Sequence, residues 1–308
     1  MKEYIIGIDA GGTKVAYGLF DRAGNLLDRC QHPTDVHADG PALCDKMIET
    51  VGALLEKNGL TLAQVHGVGG CMPSFIEFDK GLIHMTSAIV RVKNFFMRDY
   101  LQSRLGVQVV LDNDSNCAAL AEFRRGAGRG ARHMIYCAVS TGVGAGIIID
   151  GQLFRGSYGC AGENGHMLAT PDEGFLCGCG NRGCYMSHIA GRQLPDRMRA
   201  RERQAGIESG ECWNGERLLR AYEAGDPLAV AEMEHMAKQL GVLVFNMYQF
   251  LNINLYVFGG GLVNLGPALF DRAREVFDSY DHVKMPVEFR FAALKQDFGI
   301  IGASELLI

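Results

Sequence analysis

Short apolar runs alternate along the chain with longer segments in which apolar residues recur at helical spacing. In segment 41–57, for example, Met47, Val51 and Leu54 recur at nearly this spacing, which predicts an amphipathic helix. The predicted strands are 4–9, 15–20, 25–31, 65–69, 107–111, 134–138, 147–150 and 254–258. The other predicted helices are 97–104, 116–125, 188–204, 215–224, 227–251, one from 267 onward and 299–308. Strands followed by alternating strands and helices, in two successive sets, predict an α/β fold with mixed sheets.

The length of the chain predicts two domains, because 308 residues exceed the usual size of one hydrophobic core. We expect an N-terminal α/β domain over 1–117, joined by a C-terminal helix over 296–308, and a C-terminal α/β domain over 118–295. A net charge of −5 argues against nucleic-acid binding through a basic surface. The chain has no apolar run as long as a membrane span and no signal-peptide pattern, so we expect a cytoplasmic protein without membrane partners.

The first candidate site is the turn Asp9-Ala10-Gly11-Gly12-Thr13-Lys14, which directly follows an apolar run. Paired glycines let backbone N–H groups approach a phosphate closely. The carboxylate of Asp9 suits a hydrated Mg²⁺ ion. A Gly-Gly turn alone also fits an ordinary hairpin, but Ser140-Thr141-Gly142-Val143-Gly144 repeats the pattern after another predicted strand. Two such turns predict a nucleotide held between two related domains.

A cysteine-rich segment carries the second candidate site. Cys177, Cys179 and Cys184 lie among glycines, and His166 lies eleven residues before the first of them. Without a signal peptide, this spacing favours thiolate metal ligands over disulfides. One His and three Cys complete a closed, structural Zn²⁺ site, and the predicted zinc loop spans 160–188. A redox pair or chance clustering are the alternatives.

The other cysteines are predicted to have no chemical role. Cys212 is expected to be exposed. Six are expected to be buried or half-buried thiols that act as small apolar side chains: Cys30, Cys44, Cys71, Cys117, Cys137 and Cys160.

Two polar segments carry further candidate chemistry. Asp112-Asn113-Asp114-Ser115-Asn116 follows a predicted strand, and ligands usually bind at the carboxyl ends of strands in α/β folds. Helix capping by Ser115 or Asp114, with Asn113 turning the chain, is the structural alternative. In Gly162-Glu163-Asn164-Gly165-His166, a carboxylate and an imidazole lie three residues apart. If zinc binds one ring nitrogen of His166, the other is free to form a hydrogen bond to a polyhydroxylated substrate.

With these motifs in this order, the chain resembles the ROK family of repressors and sugar kinases, within the sugar kinase/actin-like ATPase superfamily. The resemblance covers nearly all 308 residues and includes Gly259-Gly260-Gly261 late in the chain. It implies an α/β fold of two ribonuclease-H-like (actin-like ATPase) domains flanking a cleft. The implied activity is that of a glucokinase-type enzyme, which transfers the γ-phosphoryl of ATP to the primary (6-) hydroxyl of a hexose or hexose derivative. Homodimers or larger homo-oligomers are also implied.

The resemblance further implies a role for each matching residue. Asp114 is the general base, which accepts the proton of the attacking sugar hydroxyl. Three residues bind sugar hydroxyls: Asn113, Glu163 and His166. Nucleotide and Mg²⁺ are bound by Asp9, Gly11, Gly12, Thr13, Lys14, Thr141, Gly142, Gly260 and Gly261. The implied cofactors are ATP, Mg²⁺ and a structural Zn²⁺ on His166, Cys177, Cys179 and Cys184.

The chain departs from the glucokinases of the family beside the last zinc ligand. They commonly carry Glu two residues after the last loop cysteine, near the anomeric end of the sugar, whereas this chain carries Met186. Segment 86–95 also differs and resembles that of β-glucoside kinases. We therefore expect a less polar pocket and a substrate that differs from glucose at C1 or carries a substituent there.

Three alternatives stay open beside an ATP-dependent kinase. A polyphosphate could replace ATP as the donor, because a backbone cradle recognises phosphates rather than bases. A non-catalytic sugar sensor is the second alternative. A sugar-responsive repressor is the third, and we disfavour it because only eight residues precede Asp9.

Overall fold

The structure is a computed structural model that describes residues 2–207, 210 and 212–308. The strands are β1 (Tyr4–Ala10), β2 (Lys14–Asp21), β3 (Leu26–Pro33), β4 (Val65–Met72), β5 (Ser74–Glu77), β6 (Leu82–Thr86), β7 (Lys93–Phe96), β8 (Gln108–Asn113), β9 (Met134–Val139), β10 (Val143–Ile149), β11 (Gln152–Phe154), β12 (Leu255–Gly259) and β13 (Glu288–Phe291). The helices are α1 (Gly40–Lys57), α2 (Met97–Leu105), α3 (Asp114–Arg125), α4 (Tyr185–Ile189), α5 (Leu194–Gln204), α6 (Gly215–Glu223), α7 (Pro227–Leu251), α8 (Pro267–Tyr280) and α9 (Phe298–Glu305).

Internal contacts divide the chain into two units. The first unit comprises Met1–Arg132, Gly146–Ala161 and Ala293–Ile308. The second unit comprises His133–Ala145 and Gly162–Ala292. This division differs from the predicted boundary after residue 117, which cuts through α3. The whole of α3 belongs to the first unit because it packs there against α9.

The main sheet of the first unit has the strand order β3-β2-β1-β4-β8. Strands β1, β2 and β3 form the predicted antiparallel meander, and β4 pairs in parallel with both β1 and β8. Ile6 and Ile8 of β1 are buried in the cluster that also contains residues of α1 and α2. Ile5 packs with Ile300 of α9 instead. Helices thus cover both faces of β1, which explains its almost uninterrupted apolar run.

Helix α9 is fixed to α3 by a buried carboxylate. Glu305 is 2% exposed and forms ion pairs with Arg124, at 2.8 Å, and with Arg125. Replacing Glu305 by Ala should lower the free energy of unfolding by about 3 kcal/mol, because both guanidinium groups lose a largely desolvated partner. Urea denaturation measures this change.

The matched control for Glu305 is the exposed pair of Glu216 and Arg220, which are one helical turn apart. Replacing Glu216 by Ala should change the free energy of unfolding by about 0.5 kcal/mol or less. Equal losses in the two variants would contradict a special role for Glu305.

A small antiparallel sheet, β5-β6-β7, was not predicted from the sequence. Its strands are only four or five residues long. Segment 86–95, singled out in the sequence analysis, forms the end of β6, most of β7 and the turn that joins them.

The second unit contains β9, β12 and β13, which pair in parallel. They belong to a sheet with the order β11-β10-β9-β12-β13. Residues of α7 such as Leu240, Val244 and Met247 are buried in this unit. Rings of Phe258 on β12 and Phe270 on α8 lie 5.1 Å apart and add an aromatic contact to the core.

The predicted helix over 188–204 is instead two helices, α4 and α5, separated by residues 190–193. Pro195 lies in the first turn of α5, where a missing backbone N–H costs nothing. We found no helix in the described part of the chain with both the length and the apolar character needed to cross a membrane.

Candidate active site

Three neighbouring parallel strands of the first unit end at one edge of the sheet, and the two outer ones carry carboxylates there. In the register of the sheet, Asp9 of β1 pairs with Cys71 of β4, and Cys71 pairs with Asp112 of β8. Carboxyl ends of parallel strands are where α/β folds usually bind ligands. The structure therefore brings the predicted Asp9 and the predicted segment 112–116 to one edge.

Asp9 lies in a tight environment at this edge. The Cys71 thiol donates to its Oδ1 at 3.5 Å. Gly299, at the start of α9, is so close that a Cβ there would lie 2.2 Å from Asp9 Oδ2. Burial raises the pKa of the Asp9 carboxyl, while the Cys71 thiol and the Lys14 charge oppose the rise. A partly buried carboxylate whose pKa is raised in this way would gain from a bound cation.

Asp114 occupies the first position of α3, directly after the end of β8. Burial raises its pKa to about 6, and the negative charge of Asp9 adds to the rise. The backbone N–H of Ser115 donates to Asp114 Oδ1 at 2.9 Å. A carboxyl group with a pKa of about 6 is ionised at neutral pH and still basic enough to accept a proton from a reacting hydroxyl.

Asn113 is the N-cap of α3, the role that the structural alternative gave to Ser115 or Asp114. Its Oδ1 accepts the backbone N–H of Ser115 at 2.8 Å, and its Nδ2 donates to the carbonyl of Ser74 at 3.0 Å. Each polar atom of the side chain thus already has a protein partner. An amide nitrogen carries a second hydrogen and the oxygen a second lone pair, so the side chain retains capacity for a ligand hydroxyl.

The first glycine-rich turn joins β1 to β2. Gly11 donates its N–H to the carbonyl of Lys14 at 3.0 Å, and the hydroxyl of Thr34 donates to the carbonyl of Gly11 at 2.7 Å. Gly12 and Thr13 at the tip of the turn are exposed. The turn is fixed at its base and accessible at its tip, as a phosphate cradle requires.

In the second unit, two predicted nucleotide segments lie together. Thr141 and Gly142 follow β9, and Gly260 and Gly261 follow β12. The N–H of Gly261 donates to the hydroxyl of Ser140 at 3.2 Å. Gly260 has φ +95°, and a Cβ there would lie 2.6 Å from the carbonyl of Val139. Only glycine fits this close approach without strain.

The predicted metal ligands converge in the second unit. Ligand atoms of His166, Cys177, Cys179 and Cys184 all lie within 4.8 Å of one another. Cys179 Sγ lies 3.7 Å from Cys184 Sγ, and Cys177 Sγ lies 3.5 Å from His166 Nδ1. Bonds of about 2.3 Å from zinc to sulfur place tetrahedral sulfur ligands about 3.8 Å apart. The spacing of this donor set therefore fits a tetrahedral Zn²⁺ ion.

The two ring nitrogens of His166 point to different partners. Nδ1 faces Cys177 in the cysteine cluster, and Nε2 lies 3.9 Å from Oε2 of Glu163. The sequence prediction placed one nitrogen on the metal and left the other for a hydroxyl of the substrate; in the structure this second nitrogen faces Glu163. A metal on Nδ1 would leave the proton on Nε2, on the side of Glu163.

Met186 lies in contact with the segment that contains Thr141 and Gly142. The backbone N–H of Val143 donates to Met186 Sδ at 3.2 Å. The side chain also lies beside Gly142 and Gly165. Met186 thus touches both a predicted phosphate turn and the predicted sugar segment.

The sequence did not indicate three residues that the structure places around the carboxylates of the first unit. They are Cys71 and Gly299, which contact Asp9, and Arg155, whose Nε donates to Asp112 Oδ2 at 2.7 Å. No local sequence signal marked Cys71, which reaches Asp9 through the register of β4 beside β1. Arg155 lies 43 positions from Asp112, too far for any local pattern to connect them.

Comparison with known proteins gives a consistent result over the whole chain. The ROK family model matches residues 5–308. A glucokinase of Halalkalibacterium halodurans is 30% identical over 99% of this chain and 94% of its own. The ROK hexokinase of Thermus thermophilus is 30% identical with a TM-score of 0.85, covering 98% of this chain and 97% of the other.

A third relative has a structure with ligands. The ROK family glucokinase of Streptomyces griseus, in complex with glucose and AMPPNP, is 29% identical with a TM-score of 0.79 and covers 98% of each chain. This chain belongs to the ROK family, and its fold is that of ROK sugar kinases, the actin-like ATPase fold.

Proposed function

We propose that this chain transfers the γ-phosphoryl group of ATP to the primary 6-hydroxyl of a hexose or hexose derivative, with Asp114 as general base. The broader class follows from family membership and from the glucokinase and hexokinase relatives: the chain is an ATP-dependent sugar kinase. The observation that carries the finer proposal is Asp114, a carboxyl with a pKa of about 6 at the start of α3, beside Asp9.

The proton and the negative charge each have a place in this proposal. Phosphoryl transfer requires positioning and charge stabilisation more than covalent chemistry by the protein. Ionised Asp114 accepts the proton of the hydroxyl as its oxygen attacks the γ-phosphorus, while ADP leaves. Asp9 would hold a hydrated Mg²⁺, which when bound neutralises charge on the phosphates.

We assign the predicted nucleotide residues to backbone contacts. In the first unit Gly11, Gly12 and Thr13 would line phosphate oxygens, with Lys14 adding positive charge. In the second unit Thr141 and Gly142 would do the same. Gly260 and Gly261, which lie against Ser140, would provide the backbone beside the adenosine.

We assign the sugar contacts to Asn113, Glu163 and His166. A Zn²⁺ ion on His166 and the three cysteines would fix the imidazole, so that Nε2 and the neighbouring Glu163 carboxylate have defined positions. Fixed partners of this kind bind hydroxyls without first losing side-chain entropy.

Met186 is proposed to select for sugars that differ from glucose at C1. Replacing Met186 by Glu should raise kcat/KM for glucose relative to methyl β-glucoside by about 10-fold or more, because a carboxylate accepts a strong hydrogen bond from the C1 hydroxyl and a thioether only a weak one. Steady-state kinetics on the two sugars measure this ratio.

The matched control is Met186→Leu, which removes the sulfur acceptor of the Val143 N–H without adding charge. It should lower activity on both sugars alike. An unchanged sugar preference in Met186→Glu would exclude Met186 as a specificity residue.

The experiment that tests the function is a coupled ADP-release assay with Mg²⁺-ATP across a sugar panel. The panel contains glucose, mannose, allose, fructose, N-acetylglucosamine, N-acetylmannosamine and cellobiose, and polyphosphate replaces ATP in a parallel series. We expect turnover on at least one sugar. Sugar binding without turnover would instead support a non-catalytic sensor.

A further inference from the structure

We infer that Arg155 is a positioning residue for Asp114, acting through the buried carboxylate of Asp112. The inference rests on the proposed function, since it concerns the placement of the proposed base. Arg155 Nε donates to Asp112 Oδ2 at 2.7 Å, and the Asp112 side chain is only 1% exposed. A carboxylate this deeply buried requires a charged partner, and Arg155 is that partner.

Asp112 connects Arg155 to the residues on both sides of Asp114. Its Oδ1 accepts the backbone N–H of Asn113 at 2.8 Å and the side-chain Nδ2 of Asn116 at 2.8 Å. Asn113 caps α3 and Asn116 lies in its first turn. Because Asp114 lies between these two residues, the orientation of Asp112 determines where the first turn of α3 places the Asp114 carboxylate.

The position of Arg155 is itself fixed within the first unit. Its guanidinium carbon lies 3.8 Å from the centre of the Phe78 ring, and its carbonyl accepts the N–H of Ala161 at 3.0 Å. The segment 155–161, which we call the Arg155 loop, is thereby closed on itself. At Gly159 a Cβ would lie 2.2 Å from the carbonyl of Ile76, so the loop packs tightly on β5.

Strand β5 also contacts the start of α3. The carbonyl of Ser74, at the start of β5, accepts the side chain of Asn113 at 3.0 Å. The Arg155 loop, β5 and the start of α3 therefore contact one another around the Arg155–Asp112 ion pair. The next residue after the loop, Gly162, begins the segment proposed to bind the sugar.

The inference predicts a specific kinetic effect. Replacing Arg155 by Met should lower kcat about 30-fold or more and leave KM for ATP within about 3-fold, because the base is misplaced while the phosphate turns are intact. Arg155→Lys, which keeps the charge, should recover part of the loss. Arg132→Met is the control, since Arg132 forms an exposed ion pair with Asp150 in the same unit.

A double variant distinguishes positioning from direct action on the substrate. Asparagine at position 112 needs no counter-charge and still offers one oxygen to Asn113 and Asn116. Asp112→Asn combined with Arg155→Met should therefore recover about 10-fold in kcat over Arg155→Met alone. No recovery, or full activity in Arg155→Met, would overturn the inference.

Amide hydrogen exchange tests the same inference without a measurement of kinase activity. The amides of Asn113 and Ser115 should exchange about 10-fold faster in Arg155→Met than in wild type or in Arg132→Met. Unchanged exchange would overturn the positioning role. Faster exchange in a protein that phosphorylates no sugar would support the inference about Arg155 and count against the proposed function, so the two failures are distinguishable.

Discussion

Replacing Asp114 by Asn should lower sugar-dependent ADP formation by a factor of about 10² to 10⁴, the usual contribution of a general base. Asparagine has nearly the same shape and cannot accept the proton. In wild type, kcat should fall as the pH is lowered through about 6, because the Asp114 carboxyl is then protonated. Asp114→Asn should show no such limb in its residual activity. The pH profile of kcat for the two proteins is the measurement.

The stability of the same variant provides the control. The pKa of Asp114 in the folded chain lies above its ordinary value, so folding favours the protonated carboxyl. Its stabilising contribution is present at pH values below the ordinary pKa and is lost as the pH rises through about 6. At pH 7 the free energy of unfolding of the Asn variant should therefore equal that of wild type or exceed it by up to about 3 kcal/mol. A lost activity together with a lowered Tm would point to unfolding instead.

Loss of the cysteine cluster should have the second large effect. We expect one zinc ion per chain by elemental analysis, and Cys184→Ser should remove it. Cys184 is fully buried, and structural zinc in small domains contributes about 10 kcal/mol or more to folding. The variant should lose at least about 100-fold in activity because His166 and Glu163 are no longer fixed. Elemental analysis and sugar kinetics measure the two effects.

Cys212→Ser is the matched control, since Cys212 is an exposed thiol outside the cluster. It should keep its zinc content, its Tm and its activity. Fully active wild-type protein without zinc would contradict the proposed structural metal site.

Local patterns were enough to predict much of the fold. The meander of β1 to β3 and the helix α1 follow from apolar periodicity over single segments, and the sequence located both with small errors at their ends. The small sheet β5-β6-β7 was missed because such short strands have too few residues to show a clear alternation. The prediction of one helix over 188–204 overlooked Pro195, a residue that favours the first turn of a helix and lies in the first turn of α5.

The burial of single cysteines could also be predicted only in part from their neighbours in the sequence. Cys212 is exposed and Cys44, Cys71, Cys117 and Cys137 are buried, as predicted, and Cys30 is partly buried. Cys160 is exposed, and the prediction that it is buried or half-buried is wrong. Small neighbours such as Gly159 and Ala161 suggested a core, but they belong to a surface loop.

The candidate site was predictable where its residues are close in sequence. Cys177, Cys179 and Cys184 lie within one short loop, and their convergence with His166 was expected. The environment of the carboxylates was not predictable, because Cys71, Arg155 and Gly299 reach them through strand register and long-range packing. The pKa of Asp114 depends on that packing and on how near Asp9 lies, and a local sequence pattern shows neither.

The central claim is tested most directly by identifying the product. The chain is incubated with Mg²⁺-ATP and the most active sugar of the panel, and the purified product is examined by ³¹P–¹H correlation NMR. We predict a phosphate ester coupled to the two hydrogens of C6, formed at least about 100-fold more slowly in the reaction with Asp114→Asn. A phosphate on another carbon, or equal product from the Asp114→Asn variant, would contradict the proposed reaction and its base.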